Sequence, residues 1–437
     1  MNKERAWKLL NDISFVRVAG TAEEKKAAEI LLEACKSAGV EAHIEEFEID
    51  GADIFEAKLE VLEPEYKSYP VIGIGRTAST PEEGIVGGFK YIENGLDANL
   101  SDVKDKIVLV QGRVMPPMVE KLIKGGALGY ILIAGNLYDE DSIRNEIRPG
   151  NAFGKSHAIP GLKLHICDAE ELVRSRPEKV RMVLKTEELK GTSRNVVATI
   201  EGTEFPDEII AFSGHFDSVA YSPGAWDNGT GAVSVVELLH YFSKHRPKRT
   251  MKFICCGSEE IGLVGSRKYC EAHKEELDKY IFEINFDMTG VVIGYEHVCC
   301  SCSEETLHAI QYLAGTEGFP LSSELGMYAS DSSSFASAGV PACTFARLAP
   351  RGGAEIHNHH DVLDRLDPEQ FMSTVGFACK FAEQIANAPV NVVPRKFAKS
   401  VEEAIEKRRK MFAERDGKKE DKPEEKKEEK PAEEKKD

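Results

Sequence analysis

The segment EIIAFSGHFDSVAYSPGAWDNGTGAVSVVELLHYFS spans residues 208–243 and decides the fold class. Its first six residues, with four apolar residues at 209–212, are typical of a buried strand, and residues 230–243 have the pattern of a helix. A polar, glycine-rich loop that contains His215, Asp217 and Asp227 lies between them. A strand, a loop with ligand-type side chains and a helix, in this order, are typical of an α/β sheet.

The same alternation continues along the chain. It predicts strands at 195–200, 250–256 and 280–286 and helices at 262–273 and 304–317. Strands that alternate with helices favour an α/β fold with a mixed, mostly parallel central sheet and helices on both faces. Ligands of such sheets bind beyond the carboxyl ends of the strands, so the loops at those ends are the candidate site.

Five short segments carry acidic or imidazole side chains beside glycine or other small residues. They are Ser213-Gly-His-Phe-Asp-Ser218, Gly224-Ala-Trp-Asp-Asn-Gly-Thr-Gly231, Ser258-Glu-Glu-Ile-Gly-Leu-Val-Gly-Ser266, Asn285-Phe-Asp-Met288 and Ile356-His-Asn-His-His-Asp361. Four of them begin at the end of a predicted strand or in the loop after it. Two histidines and several carboxylates placed in this way suit two divalent cations that share one carboxylate. The segments therefore predict the metal centre of a metal-dependent hydrolase.

Composition limits the classes of partner. The chain has 437 residues and a formal net charge of -18, which argues against nucleic acid or an anionic membrane as a partner. The N-terminal residues lack the apolar core of a signal sequence, and no apolar run approaches the roughly 20 residues that span a bilayer. We therefore expect a cytoplasmic protein. A reducing compartment also suits adjacent cysteines on apolar runs, such as Cys255-Cys256, as reduced core residues.

The chain divides into three regions by pattern. We expect a catalytic domain built from residues 1–61 and 189–395. Residues 62–188 have short β-like runs separated by Gly, Pro and Asn, which predicts a β-rich module inserted into that domain. Residues 396–437 should form a charged, largely disordered tail: from Lys407 the chain consists of Lys/Glu blocks with almost no apolar residues, which predicts disorder beyond about Arg415.

In this order, the five segments resemble the signatures of the co-catalytic (dinuclear) zinc aminopeptidase family. That family includes leucyl aminopeptidases, glutamate carboxypeptidases and the transferrin receptor. Its signatures are G-H-x-D-S, G-A-x-D-N-x-S/T-G, E-E-x-G-L-x-G-S, a D-M after a strand, and H-x-x-x-D. The resemblance covers about residues 190–390 and implies the zinc exopeptidase fold. Residues 62–188 resemble the protease-associated domain that several members carry as an insert.

The resemblance implies a role for each matched residue. Metal ligands would be His215, Asp227, Glu260, Asp287 and His357, with Asp227 bridging two divalent cations. These cations are expected to be Zn2+, while cobalt and manganese stay open. Glu259 would act as the general base, and Asp217 would orient His215 by accepting from its second ring nitrogen.

The last segment departs from the family pattern. Some members have tyrosine just before the final ligand, where its hydroxyl stabilises an oxyanion, but this chain has isoleucine there. Tyr328, in another loop, is the candidate replacement. Three histidines also compete for one ligand position. The four-residue spacing to Asp361 selects His357 over His359 and His360.

The favoured activity is that of an aminopeptidase acting on a peptide with a free N-terminus. Carboxypeptidase, dipeptidase or aminoacylase activity on the same fold stays open. These three activities need cations that hold a carboxylate, and Arg347 and Arg351 lie near the last segment. An alternative of another class is an inactive binding module on a peptidase fold, which would require loss of ligands. The sequence does not predict the oligomeric state.

Overall fold

The computed structural model describes residues 1–112, 116–144 and 159–415. The helices in these ranges are α1 (Lys3–Ile13), α2 (Ala22–Lys36), α3 (Pro116–Lys124), α4 (Ile166–Ser175), α5 (Thr230–Phe242), α6 (Val264–Ala272), α7 (Glu304–Glu317), α8 (Ser332–Ser337), α9 (Pro368–Asn387) and α10 (Lys399–Arg415). The strands are β1 (Ala42–Glu63), β2 (Lys67–Tyr69), β3 (Val71–Gly73), β4 (Ile85–Tyr91), β5 (Lys106–Val110), β6 (Gly129–Ala134), β7 (Gly161–His165), β8 (Lys179–Ile200), β9 (Phe205–His215), β10 (Arg249–Cys256), β11 (Tyr280–Phe286), β12 (Tyr295–Ser301), β13 (Leu321–Leu325) and β14 (Ala342–Leu348).

Four parallel strands form the middle of the sheet, in the order β14-β11-β9-β10. Antiparallel strands flank them, β12 beside β14 and β8 beside β10. The chain leaves β9 for β10 on one side and then crosses to β11 on the other, so the strand order reverses at β9. Such a reversal is where α/β sheets bind ligands. The predicted fold class, a mixed and mostly parallel sheet, is confirmed.

Helices cover both faces of this sheet because its central strands are apolar on both sides. In β9, Ile210 and Phe212 pack into a large core with residues of α1, α2, α5 and α9. The alternate residues Ile209 and Ala211 face the opposite side and pack with residues of α6 and α8. Side chains therefore fill both layers, and polar groups concentrate at the strand ends.

The two longest strands join this sheet to a second group of strands. β1 and β8 pair antiparallel from Ala42↔Ala198 to Glu63↔Lys179. One end of β8 pairs with β10, and the other end pairs with β4, which continues through β5, β6 and β7 to β3. Two apolar clusters consist only of residues from 57 to 184. The predicted domain boundaries at 61 and 189 thus fall inside paired strands, and the division into domains stays a prediction.

The start of the predicted charged tail is helical. α10 buries Val401 and Ile405 against Ala336 of α8, and Arg409 donates to the main-chain oxygen of Ser337. The helix forms because apolar residues recur at a spacing of four, although charged residues surround them. This helix ends at Arg415, the residue beyond which disorder is predicted, and residues 416–437, to which that prediction applies, lie outside the described residues.

All ten cysteines are free, and only Cys167 is exposed. The prediction that the adjacent cysteines are reduced core residues is confirmed. Among the helices of the described residues, none combines the length and the apolar character needed to cross a membrane.

Candidate active site

The five predicted segments meet at the carboxyl edge of the parallel strands. His215 is the last residue of β9, and Asp287 directly follows β11. Glu259 and Glu260 follow β10, and His357 lies in the loop after β14. Asp227 lies in an irregular helical turn, Ala225–Gly229, that leads into α5.

The close packing that Gly231 allows sets the position of Asp227. A Cβ on Gly231 would lie 2.3 Å from both the Asn228 side chain and the Phe286 main-chain oxygen, so α5 can approach β11 only with glycine there. Asn228 Nδ2 donates to that Phe286 oxygen at 2.8 Å, and Asn228 Oδ1 accepts from Met288 N at 3.2 Å. The Asp227–Asn228 peptide bond is cis. These contacts fix the turn against the end of β11.

The Asp227 carboxylate lies between two imidazoles. Its Oδ1 is 3.2 Å from His215 Nε2, and its Oδ2 is 3.2 Å from His357 Nε2. A further carboxylate lies at each side: Asp287 Oδ1 is 3.9 Å from His215 Nε2, and Glu260 Oε2 is 3.3 Å from His357 Nε2. The side chains thus form two groups of three potential ligands that share Asp227.

This donor set fits divalent cations. Carboxylate and imidazole are the ligands that zinc and neighbouring first-row metals take. Asp287 Oδ1 is buried and has no hydrogen-bond partner among the described residues, which is costly unless a cation or water contacts it. Burial and the negative charge of Asp227 raise the pKa of Asp287 to about 7. A bound cation would compensate this crowding of negative charge.

The two histidines lie among these carboxylates. Burial works to lower the pKa of His357, but the charges of Glu260 and Asp227 outweigh it and raise the pKa to about 11. Burial and surrounding carboxylates oppose each other in the same way at His215, and the pKa rises well above its ordinary value. The direction of both shifts means that the carboxylates of the site favour positive charge there.

Glu259 lies in the site but outside both groups of three. Its Oε2 is 3.9 Å from His215 Nε2, and its side chain is 11% exposed. Burial raises the pKa of Glu259 well above its ordinary range; His215 opposes this rise, and Glu260 adds to it. Glu259 is therefore a carboxylate with a raised proton affinity beside the two groups of potential ligands, a property that suits a general base.

Asp217 holds the two glutamates as well as the histidine. Its main-chain oxygen accepts from His215 Nδ1 at 3.2 Å, and its carboxylate Oδ1 lies 3.5 Å from the same nitrogen. The carboxylate oxygens accept from Glu259 N at 3.0 Å and from Glu260 N at 3.2 Å. The sequence predicted the contact with His215 but missed the contacts with the glutamate backbone.

Asp361 holds the backbone of Asp227 in a similar way. Its two carboxylate oxygens accept from Trp226 N at 2.6 Å and from Asp227 N at 3.0 Å. Two buried carboxylates, Asp217 and Asp361, thus position the backbone of three predicted site residues.

Sequence reasoning missed Arg17, whose side chain is completely buried. It donates to main-chain oxygens of Phe15 at 3.1 Å and Gly224 at 2.7 Å, and also to those of Phe216 and Pro223. Burial lowers its pKa to about 10, and nearby carboxylates, Asp361 foremost, oppose the change. Arg17 therefore joins the loops after β9 while it offsets the negative charge of the site. A lone arginine in the apolar segment 15–19 was the available signal.

Two further residues lie at the edge of the site. Burial and the charges of Asp287 and Asp227 raise the pKa of Tyr328, so its hydroxyl keeps its proton. Arg408 of α10 has its pKa lowered by burial, with Glu259 opposing the change. Tyr328 was predicted, whereas Arg408 was missed because it lies in the charged C-terminal region.

The structure separates the three competing histidines. His357 lies beside Asp227 and Glu260, whereas His359 and His360 face Asp139 in the loop after β6. Arg347 pairs with the buried Glu296 at 2.9 Å and donates to Val291 O at 2.7 Å. Its guanidinium is therefore part of the fold rather than a free cation at the site.

Left-handed backbone marks the loops of the site. Ser258, Met288 and His357 have φ values of 58°, 60° and 65°, and each is a predicted site residue or lies next to one, Glu259 or Asp287. A non-glycine residue in this conformation raises the free energy of the folded state by about 1–3 kcal/mol, and it persists where surrounding contacts hold the backbone in place. The loops are thus held in the geometry that brings the ligands together.

The sequence is similar to those of known peptidases. Residues 195–381 match the model of peptidase family M28. Carboxypeptidase Q of Homo sapiens is 26% identical over 391 residues, which cover 83% of this chain and 80% of that protein. Aminopeptidase YwaD of Bacillus subtilis is 27% identical over 283 residues, which cover 64% and 59% of the two chains.

Solved structures share the fold. BSAP, a zinc aminopeptidase from Bacillus subtilis, superposes with a TM-score of 0.74 at 23% identity and covers 87% of this chain and 94% of its own. The aminopeptidase from Aneurinibacillus sp. strain AM-1 gives a TM-score of 0.70 at 23% identity, with 90% and 96% covered. Residues 195–381 are thus similar to peptidase family M28, and the comparisons together support a metallo-exopeptidase.

Proposed function

We propose that the chain is a dinuclear metal-dependent aminopeptidase. The observation that carries the proposal is the Asp227 carboxylate, which has an imidazole 3.2 Å from each of its oxygens and a further carboxylate beside each imidazole. His215 and Asp287 would hold one cation, Glu260 and His357 the other, and Asp227 both. Bound divalent cations polarise a carbonyl and lower the pKa of water toward about 7.

Glu259 supplies the proton transfer. Its carboxylate takes a proton from the attacking water and gives it to the nitrogen of the leaving group, so that the peptide bond is hydrolysed without net change in the enzyme. The Asp217 carboxylate keeps this side chain in place through the Glu259 main-chain N–H, at 3.0 Å. The protonated Tyr328 hydroxyl is the candidate donor to the oxyanion that forms on the substrate carbonyl.

The charge of the site favours a substrate with a free amine. Buried carboxylates surround the reacting position. Arg347 and Arg351 are the candidate cations for binding a substrate carboxylate, and Arg347 already pairs with Glu296. Carboxypeptidase or dipeptidase activity stays the second candidate because Carboxypeptidase Q is similar over 83% of the chain. An inactive binding module is disfavoured because the proposed ligands and the base are all present and converge.

The test of the mechanism is Glu259→Gln. Bound metal should be retained, because Glu259 belongs to neither ligand group, while kcat falls by roughly 10²–10⁴-fold. Turnover near that of the wild type would refute the proposed base.

The test of substrate class is a peptide panel assayed with the same preparation. Peptides with a free amine should be cleaved from the N-terminus, and their N-acetylated counterparts should not. Cleavage of N-acetylated peptides with a free carboxylate, and not of their amides, would instead establish a carboxypeptidase.

Two further expectations belong to this proposal. We propose that residues 62–188 form a protease-associated insert, supported by the two apolar clusters that lie between 57 and 184. We also propose a cytoplasmic location, supported by ten free thiols, which a reducing compartment maintains. Fractionation of cells that express the chain tests the second point.

A further inference from the structure

A second cluster of histidines and a carboxylate lies outside the paired site, which consists of His215, Asp227, Glu260, Asp287 and His357. Asp139 stands at the start of the short helix Glu140–Ile143, after β6. His359 and His360 stand in the loop after β14, more than 200 residues later in the chain, and the same loop carries His357. The contact therefore joins the second group of strands to a loop of the active site.

Both imidazoles direct the same nitrogen to the same oxygen. His360 Nε2 is 2.8 Å from Asp139 Oδ2, and His359 Nε2 is 3.6 Å from it. The two rings lie with their centroids 4.0 Å apart. Asp139 Oδ1 accepts from Asp141 N at 3.0 Å, which turns Oδ2 toward the histidines.

A single hydrogen bond explains only half of this arrangement. His360 alone satisfies Asp139 Oδ2, yet the nitrogen of His359 converges on the same oxygen from outside hydrogen-bond distance. Ligands held about 2.0–2.1 Å from a tetrahedral ion are roughly 3.3 Å apart, which lies between the two distances found here. The three atoms all lie within 4.8 Å of one another.

The surroundings leave room for ligands from solvent. The side chains of Asp139, His359 and His360 are 22%, 41% and 39% exposed, so one side of the group faces water. Two imidazoles and one carboxylate suit zinc, cobalt, nickel or copper, whereas calcium and magnesium prefer oxygen ligands.

We propose that Asp139, His359 and His360 form a third site for a first-row divalent transition-metal cation, separate from the paired site. The cation links the loop after β6 to the loop that carries His357. It binds more weakly than the paired ions because the ligands are exposed and one position at least is left to water. The proposal does not depend on the substrate class of the enzyme.

Equilibrium dialysis of the full-length protein against Zn2+ tests the site. Over a rising series of free zinc concentrations, the wild type should bind the paired ions first and one further ion at higher concentration. The double variant H359Q/H360Q, and separately D139N, should lose only the last ion. The matched control H245Q removes an exposed histidine that hydrogen-bonds the Tyr241 main-chain oxygen, and should bind as the wild type does.

Co2+ difference spectra of protein already saturated at the paired site provide a second measurement. A further absorption change should appear in the wild type and be absent from D139N. Equal zinc binding by wild type and double variant at every concentration would overturn the proposal. So would a loss of the last ion in H245Q equal to that in H359Q/H360Q, because it would mean nonspecific binding to exposed histidines.

Discussion

Asp217→Asn is the most informative single change, because Asp217 controls the base without touching the substrate. Its buried carboxylate accepts from two main-chain donors, Glu259 N and Glu260 N. An asparagine keeps one oxygen acceptor but turns an amide NH2 toward the other N–H. The variant therefore loses one hydrogen bond to a charged acceptor and places two donors against each other.

The size of the effect follows from that lost bond. A hydrogen bond to a charged group contributes about 1.5–3 kcal/mol. We assume that the lost hydrogen-bond energy raises the activation free energy, because Glu259 is no longer held in position. Each 1.36 kcal/mol corresponds to a tenfold change in rate, so kcat/KM should decrease by roughly 10- to 150-fold. The decrease should be smaller than that of Glu259→Gln because the base itself remains.

The assay pairs kinetics with a stability control. The parameters kcat and KM on a free-amine substrate are measured at saturating zinc, with metal content and urea unfolding on the same preparations. Glu237→Gln is the control: it removes an equally buried carboxylate of α5, one that pairs with Arg5 at 2.6 Å. This control should lose stability while kcat/KM stays near that of the wild type.

Two results would refute the reasoning. One is a folded, metal-loaded Asp217→Asn variant with wild-type kcat/KM, which would mean that the position of Glu259 does not depend on Asp217. The other is an equal loss of kcat/KM in Asp217→Asn and Glu237→Gln, which would mean that the effect is one of general stability.

Three further predictions concern the frame of the site. Gly231→Ala should lower the free energy of unfolding, measured in urea, by about 1–3 kcal/mol, because a Cβ has no room at this position. Gly315→Ala in α7, where a Cβ would meet nothing within 4 Å, should raise it by about 0.5–1 kcal/mol. Equal effects of the two substitutions would contradict this prediction. Arg17→Met should leave several buried main-chain oxygens without a donor, so the free energy of unfolding should fall by more than about 3 kcal/mol. A urea midpoint equal to that of the wild type would refute the structural role of Arg17. In chelator-treated protein, burial holds the pKa of Asp287 and of Asp361 at about 7, so the folded state keeps protons that the unfolded state has lost. The free energy of unfolding should then fall as the pH rises from about 5 to 7, and zinc should reduce the fall because it takes the place of the proton on Asp287; a rise over that range would contradict the sign.

The centre of the fold could be predicted because its signals are local. The strand at 280–286 and the helix at 304–317 have the predicted bounds, since apolar runs and an N-cap at Ser303 define them. The five segments could be placed together because parallel strands end at one edge of a sheet. His357 could be selected because the family signature places its ligand four residues before an aspartate, here Asp361.

What could not be predicted depends on contacts between distant residues. Nothing local to Asp217 indicates that its oxygens accept from residues 42 and 43 positions later. Strand β8 extends far beyond its predicted range of 195–200, because pairing with β1 along the whole ladder stabilises polar residues that alone do not favour a strand. α10 was missed since its few apolar residues gain their stability only by packing on α8.

The long ribbon of β1 and β8 also affects where such a chain can accept insertions or deletions of whole segments. Pairing from Ala42↔Ala198 to Asp50↔Lys190 belongs to the large sheet, and pairing beyond it continues without a change of direction. A shorter relative could close the ribbon with a two-residue turn after residue 50 and keep every hydrogen bond nearer the site. A longer one could extend it outward in the same way. The ribbon is thus a place where evolution can exchange whole modules without exposing a sheet edge or disturbing the strands that carry the metal ligands.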